Sequence, residues 1–349
     1  MKTLRIGPHI LAADKPVFVV AEIGVNHDGS AGRALDLVRF AKRGGADAVK
    51  LQLFSADRLI HSSSTLATYQ KQLVADTSVA SMLKRYELSL ADIQRIVVAI
   101  RSSNMVPLAT PFSVEDVETI NQLDLPAIKI ASPDLVNRPL LAAAVKTKRP
   151  MLLSTGAATI EEIESAVRWL TESLAVFALL HCVSSYPTAT TDANLCWIDE
   201  LGRKFDVPIG YSDHTVEQMS GAFAVAAGAV IVEKHLTHDR SAVGPDHAAS
   251  ANPAEFEKYV AAIRSAQAMR GKPGKQVLEC ERDVRRVSRQ SVVAVRDIVA
   301  GRQIKGEDLT IQRPGTGVPA GEFTNVVGRK SRRAITAGTL LQWDMLDAA

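Results

Sequence analysis

The sequence predicts an α/β chain in which a (β/α)8 barrel is followed by a small β-rich C-terminal domain. Eight short apolar or β-branched runs recur in the first 240 residues, at 17–24, 48–54, 105–112, 127–134, 150–156, 176–182, 208–214 and 230–237. Stretches with helical spacing separate them, as a parallel sheet closed into a barrel requires. The runs also end in polar, chemically competent residues: Glu22, Lys50, Gln52, Thr110, Lys129, Ser132, Ser154, His181, His214 and His235. A core needs none of these groups, and Lys and Glu are almost never fully buried unless paired. Barrel active sites sit at the C-terminal strand ends, so this ring predicts a site for an anionic ligand and a metal.

The elements follow in order. Residues 1–16 form a short hairpin or lid ahead of the first strand. The segment 30–47 carries Leu35, Val38 and Ala41 at helical spacing and a Gly-Gly stop. About 50 residues separate the second and third strands, including TLATYQKQLV and SMLKRYELSLADIQRIVVAIRSS. In the latter, Ser89 caps a helix with Asp92 three residues on, before Ile93, Ile96, Val97 and Ile100. Long loops on a catalytic face act as lids or substrate walls. Helical segments at 113–123, 139–147, 159–170, 215–228 and 253–269 make further connections. The barrel domain thus covers 1–270. A Gly-, Pro- and charge-rich linker follows at 271–290, then a domain at 291–349 containing two similar units, VRDIVAGRQIKGEDL and RRAITAGTLLQWDML. So small a core needs help from a partner surface.

Composition narrows the class. Of 349 residues 46% are hydrophobic and 23% charged, and 41 basic against 38 acidic side chains leave a net charge of +3. That balance implies neither nucleic acid nor a membrane surface as partner. Cys182, Cys196 and Cys280 form no CxxC pair, and their odd number suggests no disulfide framework. The N-terminus lacks a signal-like apolar stretch, and no run of roughly 18 apolar residues would span a bilayer. A cytoplasmic setting is expected.

Lys50 and Gln52, two apart on one strand, share a face. Lys50 and Lys129 set a positive field for a phosphate or carboxylate, to which Thr110, Ser132, Ser154 and Ser212 add neutral donors. The competing reading is that each lysine snorkels to solvent. His214 and His235 end adjacent strands, and their imidazoles can share one divalent metal with positions left for water and substrate. His181 packs or hydrogen-bonds nearby rather than serving as a third ligand. Glu22 and Asp134 are candidates to move protons, or are structural partners of a lysine. Glu233 shares a face with His235 and reads as a barrel-interior group, with Lys234 facing the other way. Asp246 lies on the loop after strand eight, where it binds sugar hydroxyls or makes an Asx-turn.

The motifs AEIGVNHDG, VKLQLF, LATPF, IKIAS, LSTG, HCVSSYPT, GYSDHT, EKHLT and GPDH occur in this order, followed by IQRPGTGVP and AITAGTLLQWDML. They closely resemble the sialic acid synthase family, phosphoenolpyruvate-dependent nonulosonate synthases built from a TIM barrel and an antifreeze-like (SAF) domain. The resemblance covers nearly the whole chain; LSTG alone is weak, whereas GYSDHT, EKHLT and RPGTG in sequence are highly specific. It implies condensation of phosphoenolpyruvate with an N-acylated mannosamine-type sugar to a nine-carbon 2-keto-3-deoxy acid, with release of phosphate. By resemblance, Lys50, Thr110, Lys129, Ser132, Ser154, Ser184 and Ser212 would hold phosphoenolpyruvate. His214 and His235 would bind Mn2+, or Mg2+ or Co2+. Gln52, Tyr186 and Asp246 would bind the sugar, and Glu22 would orient it or handle protons. Arg313 would reach the site of the other subunit in a domain-swapped homodimer and contact the N-acyl group. Two departures stand out. Many members carry Gly-Ser-Gly-Glu where this chain reads Ala131-Ser132-Pro133-Asp134, and bacterial members often have Asn at Ser184. Both bear on which sugar is used. Two other readings compete: a different phosphoenolpyruvate-condensing enzyme or metal-dependent aldolase on the same barrel, and a non-enzymatic sugar- or ice-binding protein.

Overall fold

The structure, a computed structural model, describes residues 3–61, 64, 78–272 and 274–348. The expected helical stretch TLATYQKQLV lies outside the described residues. The chain divides into two compact units, Met1–Lys272 and Pro273–Ala349.

In the first unit, a hairpin of β1 (Leu4–Ile6) and β2 (His9–Leu11) precedes eight parallel strands. These are β3 (Phe18–Glu22), β4 (Ala48–Leu53), β5 (Val106–Pro111), β6 (Ile128–Ile130), β7 (Met151–Ser154), β8 (Phe177–Cys182), β9 (Ile209–Asp213) and β10 (Ile231–His235). They close in sequence order, with β10 against β3, into a barrel of the (β/α)8 type.

Strand parity divides the side chains between two cores. Val49, Leu51 and Leu53 face outward to a core shared with the helices, whereas Ala48 belongs to the interior cluster. That interior is apolar only in its lower part, where Phe18, Ala48, Val106 and Ala127 pack with Leu4, Ile6 and Leu11 of the hairpin. The hairpin therefore seals the N-terminal end of the barrel and is no lid. The polar inward residues are left at the other end.

The helices stand largely where apolar spacing puts them. Leu90–Ser102 starts on the Ser89 side chain, which accepts from Asp92 N, and Ile160–Glu172 starts with a capping box of Thr159 and Glu162. The expected helix at 215–228 is shorter, Ser220–Ala226, because the Thr215 hydroxyl accepts from Glu217 N and holds a turn first. A further helix, Cys196–Lys204, connects β8 to β9. Among the described residues no helix is long and apolar enough to cross a membrane.

The second unit has its own core of Val292, Ala294, Ile298, Ile304, Leu309, Val318, Val326, Ile335, Leu341 and Leu346. β11 (Ser291–Ala294) pairs antiparallel with β12 (Leu309–Gln312). The two similar sequence units pair with each other, since Ile298 and Ile335 exchange backbone hydrogen bonds of 2.8 Å in both directions. Much of the expected linker is folded: Arg282–Ser288 is a helix, and Gly315 N of the RPGTG turn donates to Arg286 O at 2.9 Å. The charged side chains of this helix, Arg282, Asp283, Arg285 and Arg286, are exposed.

Candidate active site

The C-terminal mouth of the barrel holds a cavity of about 370 Å³. Its floor is a layer of buried charges. Lys50 Nζ stands 2.5 Å from Glu22 Oε2 and 3.6 Å from Glu233 Oε1, and donates to Thr110 Oγ1 at 3.1 Å. Lys129 Nζ donates to Ser154 Oγ at 2.6 Å and lies 3.8 Å from the same Glu233 oxygen. Ser212 Oγ donates to that oxygen at 2.8 Å, while Glu233 Oε2 has no hydrogen-bond partner among the described residues. None of the four charged residues is more than 5% exposed, so each depends on its partners for its charge. Burial alone would lower Lys50, but Glu22 and Glu233 outweigh it and hold its pKa above the ordinary lysine value. Lys129, further from the carboxylates, is pushed down by burial. Burial pushes the Glu22 carboxyl up against the pull of Lys50, and Glu233 adds to the rise.

Lys50, Gln52, Thr110, Lys129, Ser132, Ser154, Ser184, Tyr186, Ser212, His214, His235 and Asp246 all line the cavity. Glu22 stands behind this wall, accepting from Gln52 Nε2 at 3.1 Å and from Gly24 N at 2.8 Å. Ser132 Oγ accepts from Gly156 N at 3.0 Å. A Cβ at Gly156 would lie 2.4 Å from Ser184 Oγ and 2.9 Å from Ser132 Oγ, so only glycine lets these loops meet.

The imidazoles of His214 and His235 lie with ring centroids 5.3 Å apart, and the Tyr186 ring is 4.0 Å from that of His214. His214 Nδ1–H donates to Val183 O at 2.8 Å, which leaves the Nε2 lone pair for a ligand. His235 Nδ1 has no hydrogen-bond partner among the described residues and stands 3.5 Å from Asp246 Oδ2. Burial and surrounding cations keep His235 well below the ordinary histidine value, hence neutral and able to ligate. Burial pushes Asp246 up to about 7, with Glu22 adding to the rise. Burial lowers His214, but Cys182 and the Val183 carbonyl outweigh it and raise its pKa above the ordinary histidine value, so an ion there would compete with a proton. Two imidazoles at the ends of neighbouring strands fit a divalent ion whose other positions come from water and substrate. No group of three or more His, Cys, Asp or Glu able to hold a metal is present among the described residues.

Other sequence candidates stand elsewhere. His181 points out of the barrel, stacks on Tyr211 at 5.7 Å between ring centroids, and lies 2.7 Å through Nε2 from Ala193 O. Asp134 lies outside the cavity wall, in the 3-10 turn Ser132–Val136, where it accepts from Asn137 Nδ2 at 2.9 Å; its neighbour Pro133 takes the place at the wall. Arg313 is exposed in the second unit, after β12.

Comparison with known proteins places this arrangement. The NeuB family model matches residues 37–275, and the SAF domain model matches residues 289–347. The chain belongs to the NeuB family. It is an enzyme, a transferase of the nonulosonate synthase type. It is 37% identical over 337 residues to the N,N'-diacetyllegionaminic acid synthase of Legionella pneumophila, covering 95% of each chain. It is 35% identical to the enzyme of the same name from Campylobacter jejuni, covering 90% of this chain and 96% of that one. The crystal structure of the N-acetylneuraminic acid (sialic acid) synthetase of Leptospira borgpetersenii serovar Hardjo-bovis in complex with citrate matches with a TM-score of 0.75. That match is 32% identical and covers 81% of this chain and 95% of that one.

Within this NeuB-family site, residues that motif reading did not single out complete the wall. Cys182 lines the cavity with Sγ 3.7 Å from His214 Nδ1. Strand parity puts it there in the fold: Ala178 and Leu180 face inward on the same strand, so Cys182 does too and His181 cannot. Val25, Phe54, Leu59, Met82, Leu83 and Phe112 add an apolar side, drawn partly from the long β4–β5 insertion.

Proposed function

We propose that this enzyme condenses phosphoenolpyruvate with an N-acylated mannosamine-type sugar, giving a nine-carbon 2-keto-3-deoxy acid and phosphate by C–O cleavage. The observation that carries this reading is the layer in which Lys50 and Lys129 are held, buried, beneath a cavity rimmed by hydroxyls. A trianionic small substrate is the ligand such a layer suits, because fixed charges in a dry site act without reorganising.

In this reading the lysines, Thr110, Ser132, Ser154, Ser184 and Ser212 hold phosphoenolpyruvate, and Gln52, Tyr186 and Asp246 hold the sugar. Carbon 3 of phosphoenolpyruvate bonds to the aldehyde carbon of the open-chain sugar. Water adds at carbon 2, the bond from carbon 2 to the bridging oxygen breaks, and phosphate leaves with that oxygen. A keto group remains once the new hydroxyl gives up its proton. Glu233 and Asp246, the two carboxyls at the wall, are placed to take and return protons, while Glu22 holds Lys50 and Gln52 in position. Asp134 is set too far off the wall for the proton role considered from sequence. His214 and His235 would hold a divalent ion, Mn2+ first among candidates, which when bound supplies Lewis-acid polarisation of the sugar carbonyl. Two legionaminic-type relatives at 37% and 35% identity favour a 2,4-diacetamido-6-deoxy acceptor over N-acetylmannosamine. The functional unit is a cytoplasmic homodimer in which Arg313 of one subunit completes the sugar pocket of the other.

The test is phosphate release from phosphoenolpyruvate with each acceptor of an N-acylated hexosamine panel, and with none. Release that depends on one acceptor supports the reading. Release without any, or none with all, excludes it.

A further inference from the structure

Asp246 reaches the cavity from a long connection, Leu236 to Asn252, and such a loop does not by itself hold a carboxylate in place. Its neighbour in sequence does. His247 is fully buried, its Nε2–H donates to Asp28 Oδ1 at 3.0 Å, and its Nδ1 accepts from the Thr237 hydroxyl at 2.7 Å. Asp28 belongs to the loop after β3, on the other side of the barrel seam, and also pairs with Arg33. A second link runs through the backbone of Asp246 itself. Its carbonyl accepts from Ser250 Oγ at 2.6 Å, and Ser250 Oγ accepts from Asn26 Nδ2 at 2.8 Å. Asn26 Nδ2 also donates to Leu236 O at 3.1 Å. The loop after β3 and the loop after β10 are thus clasped by side chains that do not line the cavity.

Two further observations show that the clasp is tightly specified. A Cβ at Gly244 would lie 2.6 Å from His247 Cδ2, so the loop backbone is closed directly onto this ring. On the other side, Val25 and Asp28 adopt φ of 56° and 50°. That region is unfavourable for a β-branched residue, and such conformations persist where the surroundings over-determine them.

We propose that His247 is a positioning residue for the acceptor sugar: held between Asp28 and Thr237, it fixes the Asp246 carboxylate over the cavity. The proposal rests on the assignment of Asp246 to the sugar made above. Nothing in the clasp touches Lys50, Lys129 or their hydroxyl partners. Its loss is therefore felt by the sugar and not by phosphoenolpyruvate.

The experiment compares full-length His247→Leu, His247→Gln, Asp28→Asn and Asp246→Ala in steady-state kinetics, with phosphoenolpyruvate and the best acceptor of the panel varied in turn. His247→Leu is expected to raise the acceptor KM by roughly 10- to 100-fold, since a misplacement of about 1 Å costs on the order of 100-fold. KM for phosphoenolpyruvate should stay within about twofold, a split that general loss of structure would not give. His247→Gln keeps a donor for Asp28 and should recover part of the loss, and Asp28→Asn should fall between. If His247→Leu does not fold, Asp28→Asn carries the same split. Equal shifts for both substrates, a fall in kcat alone, or no change overturns the proposal. Asp246→Ala separates the two layers of the argument. If it spares the acceptor KM, the sugar assignment has failed; if it raises that KM while His247 and Asp28 variants do not, the clasp alone has failed.

Discussion

The strands that carry His214 and His235 are pinned by a buried ion pair on their outer face, and removing its two halves should have unequal effects. Asp213 on β9 and Lys234 on β10 lie 3.0 Å apart, each almost fully buried. Asp213 Oδ2 also accepts from Ser220 Oγ at 2.6 Å and Tyr259 OH at 2.7 Å. Its Oδ1 accepts from Thr215 N at 2.9 Å and Tyr211 OH at 3.2 Å. Burial works against the carboxylate, but Lys234 and the hydroxyls more than offset it and hold its pKa below the usual range. Among the described residues Lys234 bonds to Asp213 and, at 2.5 Å, to the Thr215 carbonyl, with the Tyr259 ring centroid 5.1 Å away. Breaking a buried pair costs about 3–5 kcal/mol because the remaining charge is uncompensated. Lys234→Met leaves an anion that keeps four donors and should fall at or below the bottom of that range. Asp213→Leu leaves an ammonium with one carbonyl and the Tyr211 and Tyr259 phenols without this acceptor, and should cost about 5 kcal/mol or more. The double variant removes both charges and should be milder than Asp213→Leu. Urea unfolding followed by far-ultraviolet circular dichroism, with melting temperatures in parallel, reads the order. A loss of 5 kcal/mol corresponds to a fall of about 10 °C or more in Tm. Equal effects of the single variants, or additive loss in the double, would refute the reasoning.

Three other outcomes follow from the site. Lys129→Met should lower kcat/KM for phosphoenolpyruvate roughly 10- to 150-fold, the loss of one charge-assisted hydrogen bond of about 1.5–3 kcal/mol, with the acceptor KM far less affected. Chelation should abolish turnover, and His214→Ala or His235→Ala should lose bound divalent ion in calorimetric titration; full turnover of metal-free enzyme would contradict this. Arg313→Ala and His235→Ala chains, each nearly inactive alone, should regain partial activity when co-expressed, because one composite site then has both parts; no recovery in verified mixed dimers would return Arg313 to its own barrel or to no role.

How far the sequence reached depends on strand parity. The eight runs were readable because turn residues and helical spacing separate them, and the inward series of β4, Ala48, Lys50 and Gln52, announces its own polar end. The outer faces carried no such mark. In a strand buried on both sides the outward residue is apolar too, so VFALLHC does not say which of His181 and Cys182 faces the cavity. Asp213 and Lys234 hide in the same way inside GYSDHT and EKHLT, beside the inward histidines, and their pairing with Tyr259 on Pro253–Arg270 is a tertiary fact. Asp134 looked poised because it follows β6 directly. The turn at Pro133 rotates it onto Asn137, and sequence spacing does not encode that rotation. The clasp through His247 joins positions 219 residues apart, beyond any local pattern.

The most direct test of the central claim is the fate of the bridging oxygen. Phosphoenolpyruvate labelled with oxygen-18 between carbon 2 and phosphorus is turned over with the acceptor, and the released phosphate and the sugar acid are analysed by mass spectrometry. C–O cleavage puts the label in phosphate and none at the new keto group, apart from exchange with water. Label retained at carbon 2 of the product, with unlabelled phosphate, would mean that the P–O bond breaks and would contradict it.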